Sequence, residues 1–486
     1  MIGRLPRRAP FPFPFAAMVG CILRLIGVLT PTLRPCYIHR SFVGCPNKLS
    51  LEPCVARLFR TGDQTFVREL NRSILLQRLR VGPPLSRADL ATATGLNKTT
   101  VSKLIDDLIA DGLVREVGLV RSGGGRPATL LDLNPEAGWI IGGEISVGRM
   151  VAIVADLRAT IAWRRETSFD KEAGQDLALQ RLNSLLRQAK QFAQRGKRRL
   201  LGVGVTTPGL VDVSSGILVF EPNMGWREVP LRDQLASKLG LPVFIENDAN
   251  AAALAERYFG VAQDVEDFTY VVANIGLGTG LVVGGQLLIG ASGYAGEAGH
   301  TTIDPDGPLC RCGNRGCWER LASLRALTER VDQALRSGLP SRIAEHTGGD
   351  EITLDAILMA AQEGDQVARQ ALDETGAYLG IGIANLVNLL NPQLVVFGGA
   401  LSLAHEFLMP AAQRVVNDRA MGELRQAARI EVSALKADAC VLGGVALVLH
   451  DILRRPPLVE RTPKLSAKAT LSSHYVALET MPRERR

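Results

Sequence analysis

Between Gln64 and Arg80 the apolar residues Phe66, Leu70, Ile74, Leu75 and Leu79 recur at intervals of three and four, which predicts an amphipathic helix. Ser86 can cap a second helix, with Asp89 at the third helical position in a capping-box arrangement and Leu90 packing inward before the break ATGLN. Asn97 caps a third, NKTTVSKLIDDLIADG, whose buried face is Val101, Leu104, Ile105 and Leu108. Two strand-like runs follow, LVREV and ATLLDL, joined by GLVRSGGGRP, whose glycines permit a tight turn. From Trp139 onward the pattern changes. Apolar runs such as GWIIGGEIS, MVAIVADL, RLLGVGVTTPG, LPVFIEND, FTYVVANIGLGTG, LVVGGQLLIG and QLVVFGGAL alternate with helical stretches and glycine turns, which predicts a mixed α/β architecture. No internal repeat is obvious by eye.

The organisation expected is a leader over residues 1–60, a small helical segment with a wing over 61–134, a large α/β region over 138–453, and a disordered tail over 454–486. A length of 486 residues, 46% hydrophobic and 22% charged, suits two or three globular units with a sizeable core. The net charge of +7 carries no message about partners. The first 60 residues hold nine lysines and arginines against Glu52 alone, a local +8, which leaves the remainder at −1. They also hold four of the eight cysteines and an apolar run near Phe15 to Leu23 that is too short to span a bilayer. An unstructured or mis-assigned leader is preferred over an export signal, and the rest reads as cytoplasmic with no membrane partner.

The start of the third helix exposes Lys98, Thr99, Thr100, Ser102 and Lys103, cations for phosphates beside short hydroxyls able to touch base edges. Arg121 and Arg126 in the glycine-rich loop could reach the backbone or the minor groove. Three helices and a wing look like a winged helix-turn-helix whose partner is operator DNA. The alternative is a three-helix protein-contact module with solvated Lys and Thr.

The sequence HTTIDPDGPLCRCGNRGCWE sets His300, Cys310, Cys312 and Cys317 at spacings suited to one structural zinc ion. A direct Cys310 to Cys312 disulfide would be strained by its short loop.

GEAGH, with Glu297 and His300, followed by CRCGNRGCWE, resembles the signature of the ROK family of sugar kinases and sugar-responsive repressors. Over residues 138–453 the resemblance implies a two-lobed actin-like (ribonuclease H-like) ATPase fold. It also implies a pyranose pocket built from Asn247, Asp248, Glu297, His300 and Glu319, walled by TTPGLVD with Gly209 and EPNMGW with Asn223. Carboxylates suit vicinal hydroxyls because each accepts two hydrogen bonds. With one ring nitrogen of His300 on zinc, the other would orient the sugar. In the family's kinases the aspartate matching Asp248 takes the proton from the sugar hydroxyl, so Asp248 is a base here, active or vestigial.

Kinases of the family carry an Asp-x-Gly-Gly-Thr turn, and the aligned residues are Glu144, Ile145, Ser146, Val147 and Gly148. Val147 brings a β-branched side chain where phosphate needs bare backbone. The second loop, NIGLGTG, keeps Gly276, Gly278 and Gly280, with Leu277 where kinases generally show Thr, and VFGGALS, with Gly398 and Gly399, resembles the adenosine-side turn. The nucleotide site is therefore read as degenerate. The leading expectation is a DNA-binding regulator, a repressor, whose core senses a sugar or sugar phosphate as a homodimer or homotetramer. The alternative is an active sugar kinase using ATP and magnesium with a DNA-binding appendage.

Overall fold

The computed structural model describes residues 64–120, 127–170, 174–196, 198–347 and 351–454, all within one compact unit. The expected leader and the tail beyond Arg454 lie outside the described residues, as do Arg121 and Arg126 of the wing.

The first element, α1 (Gln64–Arg80), buries Arg72, Ser73, Leu75, Leu76 and Leu79. Leu75 and Leu79 thus face inward as the periodicity implies, whereas Phe66, Leu70 and Ile74 are exposed. The helix carries two apolar stripes. Arg72, only 3% exposed and paired with Asp111, fixes which of them turns to the core. β1 (Leu85–Ser86) leads into α2 (Arg87–Thr94), where the Ser86 side chain accepts from Asp89 N at 3.2 Å and Asp89 Oδ2 accepts from Ser86 N at 3.0 Å, a complete capping box. Asn97 Oδ1 caps α3 (Lys98–Ala110) by accepting from Thr100 N at 2.7 Å. β2 (Val114–Val120) and β3 (Ala128–Leu133) form the wing, in a sheet of order β1-β3-β2.

The first lobe contains β4 (Trp139–Ser146), β5 (Arg149–Ala155), β6 (Ile161–Ser168), α4 (Gln175–Gln194) and β7 (Leu200–Thr207). A small sheet, β8 (Leu210–Asp212), β9 (Ile217–Glu221) and β10 (Trp226–Val229), then precedes α5 (Leu231–Leu239) and β11 (Val243–Asn247). α6 (Asp248–Phe259) leads to the second lobe, which opens with β12 (Phe268–Ala273), β13 (Leu277–Val283) and β14 (Gln286–Leu287). Helices α7 (Glu319–Ala322), α8 (Leu324–Arg336), α9 (Ile343–Thr347), α10 (Leu354–Gln362) and α11 (Gln366–Leu390) follow. The chain closes with β15 (Leu394–Gly398), α12 (His405–Arg419), α13 (Gly422–Ala427), β16 (Arg429–Val432) and α14 (Ala439–Arg454). No helix among the described residues is long and apolar enough to cross a membrane.

The two main sheets run β6-β5-β4-β7-β11 and β14-β13-β12-β15-β16. Each is an antiparallel meander of three strands followed by two strands parallel to the first of them. The architecture is repeated although the sequence shows no repeat, and it is the two-lobed actin-like fold that the resemblance implied. α6 and α14 pack on each other; α14 lies on the first sheet and α6 reaches both. The carboxyl ends of β7, β11 and β12 converge on one cleft, where open α/β sheets place their ligands.

One hydrophobic core runs from Leu75, Leu79, Leu90, Ile105 and Leu131 of the N-terminal segment through Ile140 and Val151 to Leu254, Val445 and Leu449. The helical segment and the first lobe therefore share their interior.

Candidate functional site

The cleft encloses about 890 Å³, including its open mouth, and its lining contains Gly209, Asn223, Asn247, Asp248, Glu297, His300 and Glu319. Asn247 ends β11 and caps α6, its Oδ1 accepting from Ala249 N at 2.9 Å and Asn250 N at 3.2 Å, while its Nδ2 donates to Gly209 O at 3.0 Å. Asp248 opens α6. Desolvation, reinforced by the nearby carboxylates of Glu297 and Glu221, pushes its pKa up to about 6 against backbone hydrogen bonding at Ala249. Glu297 is also raised, by desolvation first, with His300 opposing and Glu319 adding to the rise. Glu319 Oε2 accepts from Leu277 N at 3.2 Å.

Behind His300, the ligand atoms of His300, Cys310, Cys312 and Cys317 all lie within 4.8 Å of one another. His300 Nδ1 is 3.7 Å from Cys310 Sγ, Cys312 Sγ is 3.7 Å from Cys317 Sγ, and His300 Nε2 turns toward Glu297 at 3.9 Å. A tight turn closes this loop, with Gly313 N donating to Cys310 O at 3.0 Å and Cys310 N to Asn314 O at 2.7 Å. Buried Trp318 ties it to α11 through Nε1 to Tyr378 O at 3.0 Å. Burial, together with the neighbouring thiols, pushes the Cys317 thiol up to about 12, so thiolate there needs a cation beside it. Three thiols and an imidazole in this arrangement fit a four-coordinate metal ion. From the same loop Arg311 Nη1 reaches across the cleft to Asn223 Oδ1 at 3.2 Å.

The residues assigned to a nucleotide loop do not all gather at the cleft. Ser146, Val147, Gly276 and Gly278 line it. Gly148 turns the β4–β5 hairpin at φ +76°. NIGLGTG is not one continuous loop, because Leu277 to Gly280 already belong to β13. A side chain on Gly280 would strike the α6 backbone at Ala249, and one on Gly398 would strike the Tyr270 hydroxyl, so both glycines serve close packing. Gly399 follows β15 and accepts from Ser402 Oγ at 2.7 Å. Leu277 is 5% exposed and joins the second lobe's core beside Trp318. Glu144 is buried, its Oε2 has no hydrogen-bond partner, and desolvation raises its pKa to about 7 despite Arg149.

Sequence reasoning missed Glu221, Asn250 and Thr279, which also line the cleft. Glu221 is fully buried and accepts from Asn223 Nδ2 at 3.1 Å. Asn250 Nδ2 donates to Glu246 at 3.2 Å. None was singled out, although EPN, NDAN and GTG set each within three residues of a residue that was.

On α3, Lys98, Thr99 and Lys103 are exposed, while Thr100 and Ser102 are half-buried. Asp106 and Asp107 farther along are engaged by Arg87 and Arg68, which leaves the amino-terminal turn as the basic end of the helix.

Comparison with known proteins places these features together. A sequence model of the ROK family matches residues 141–451, and one of the MarR family matches residues 70–123. The chain is 36% identical over 395 residues to the xylose repressor of Caldicellulosiruptor bescii, spanning 81% of this chain and 99% of that protein. A solved ROK family transcriptional regulator, a homologue of the E. coli MLC protein, superposes with a TM-score of 0.69 at 29% identity, covering 80% of this chain and 97% of that one. The ROK family glucokinase of Streptomyces griseus, in complex with glucose and AMPPNP, superposes at 0.58 with 32% identity, covering 64% and 99%. With a winged helix ahead of a matched core and a repressor aligned over nearly its whole length, this chain belongs to the ROK family, in its branch of transcriptional regulators.

Proposed function

We propose that the protein is a sugar-responsive transcriptional repressor whose cleft binds its effector without phosphorylating it. One observation carries this reading. The polar set suited to a pyranose is assembled on a single cleft, whose lining also holds Val147 and the largely buried Leu277, where phosphoryl transfer needs bare backbone and hydroxyl donors. The xylose repressor to which the chain is similar makes D-xylose the first candidate effector. Asp248, with its pKa raised to about 6, favours a kinase to the extent that it could serve as a base. Val147 and Leu277 weigh against that reading.

The metal site holds zinc in this proposal. Tetrahedral zinc with sulfur at about 2.3 Å and nitrogen at about 2.0–2.1 Å sets ligand atoms roughly 3.5–3.8 Å apart, in line with the 3.7 Å separations of His300 from Cys310 and of Cys312 from Cys317. Bound there, zinc is structural. It fixes the His300 ring, whose Nε2 then presents to the sugar.

α3 enters the major groove through Lys98, Thr99, Thr100, Ser102 and Lys103, of which Lys98, Thr99 and Lys103 are exposed. A dimer or tetramer reads half-sites about 10–10.5 bp apart, or a multiple of that spacing. It acts in the cytoplasm, beside the chromosome.

The test combines melting shifts with D-xylose, D-glucose and their phosphates, DNA binding with and without each hit, and a coupled assay with ATP and magnesium. Sugar-dependent melting and DNA release without turnover are expected. Turnover above roughly 1 per second, ordinary for an enzyme, would establish the kinase instead.

A further inference from the structure

One helix joins the cleft to the DNA-reading segment. α6 begins at the pocket, where Asn247 caps it, and its 12 residues carry it about 18 Å. The last carbonyls of a helix have no partner within it. Here Glu256 O accepts from Gly260 N at 3.0 Å. Arg257 O and Tyr258 O accept instead from Arg80 Nη1, at 3.3 and 3.2 Å. Arg80 is the final residue of α1. Its guanidinium lies 4.7 Å from the centre of the Tyr258 ring, whose hydroxyl is bonded to His450 Nδ1 of α14 at 2.7 Å. A cation from the DNA-reading segment thus closes the negative end of the helix whose opposite end forms the cleft.

Packing around this contact is continuous, with Leu75, Leu76 and Leu79 of α1 in one core with Leu254, Ala255 and Tyr258 of α6 and Leu449 and Leu453 of α14. Ala249, Ala252 and Ala253 on α6 belong to another core, with Phe268 and Tyr270 of the second lobe. A helix seated on both lobes would shift if a sugar drew the lobes together. Apolar contacts can slide under such a shift. Hydrogen bonds to two carbonyls hold the end of α1 in register with the end of α6, so α1 would follow, and with it α3 packed beside it.

We propose that Arg80 is the positioning residue that couples the sugar cleft to the DNA-reading helices, by capping α6 from α1. The proposal rests on the regulator reading above and names how that regulation is carried. Coupled sites typically change each other's affinity about 5–150-fold, and reciprocally.

The experiment uses the full chain, a DNA duplex that it selects from a randomised pool, and D-xylose or D-glucose, whichever raises its melting temperature. Arg80→Ala is expected to bind sugar alone and DNA alone close to wild type. The ratio of its DNA affinities with and without sugar should fall toward unity, and DNA should lose its effect on sugar affinity. Arg80→Ala that keeps the wild-type ratio overturns the proposal. If that variant does not melt cooperatively, Arg80→Met decides, since it keeps the packed stem and removes only the donors; a wild-type ratio there overturns the proposal and a reduced ratio supports it. A wild-type protein whose DNA affinity ignores both sugars overturns the regulator reading and this inference together.

Discussion

Arg311, from the loop between Cys310 and Cys312, donates across the cleft to Asn223 Oδ1 at 3.2 Å, while Asn223 Nδ2 donates to Glu221 at 3.1 Å. Both polar groups of a residue in the proposed sugar pocket are therefore engaged, one from each lobe. Arg311→Ala removes the donor from the second lobe. A hydrogen bond of this kind is worth about 0.5–1.5 kcal/mol, so calorimetry should show sugar binding weakened roughly 2–10-fold with little change in the melting point of the free protein. Undiminished affinity would mean that the contact plays no part in closing the cleft.

Metal removal should act on two properties at once, because the loop that presents His300 is closed by the same four side chains. Loss of a structural ion typically costs several kcal/mol. Cys317→Ser, or exhaustive chelation, is expected to lower the melting temperature by roughly 5–10 °C and to erase the sugar-dependent shift. Elemental analysis should find one zinc per chain. A chelated protein with an unchanged melt and an intact sugar response would remove the metal from the proposal.

Glu144 makes stability depend on pH. Its folded pKa, about 7, lies above the ordinary 4.5 because burial disfavours its charge. The folded state therefore binds this proton more tightly than the unfolded state does. The stabilisation is complete below about pH 4.5 and is lost as pH rises through about 7. Above that, the buried carboxylate costs the fold up to about 3 kcal/mol. Glu144→Gln should raise the melting temperature at pH 8 more than at pH 5, measured by calorimetry at both. An equal effect at the two pH values would show that the group titrates normally.

On α3, Lys98 and Lys103 are exposed near the amino-terminal end. Each is expected to neutralise one phosphate, so replacing either with Ala should lower the slope of log affinity against log salt by about 1 and weaken binding evenly across sequences. Thr99→Ala should instead relax base preference. Fluorescence anisotropy over a salt series distinguishes the two, and an unchanged slope in both lysine variants would move the interface elsewhere.

Local chemistry was legible in the sequence. Ser86 with Asp89, and Asn97 alone, mark helix starts that the structure reproduces because a cap needs only its own next three residues. ATLLDL coincides with β3. The clustering of His300 with three cysteines follows from a short loop that brings near neighbours together.

What depends on distant partners was not legible. The pattern on α1 cannot say which of two apolar stripes faces inward, since Asp111 far along the chain decides it through Arg72. Gly280 and Gly398 carry the same signal as a phosphate-binding turn, yet they make room for Ala249 and Tyr270. The repeated sheet order is written in backbone pairing, which unrelated side chains satisfy equally well.

The interior shared by the N-terminal helices and the first lobe sets a limit on protein engineering. A biosensor assembled by grafting this DNA reader onto a foreign sugar-binding scaffold would expose Leu75, Leu79 and Leu131 unless the scaffold supplied counterparts of Leu254 and Leu449. Exchange of binding specificity is better attempted by rewriting the solvent-facing turn of α3 than by transplanting the head.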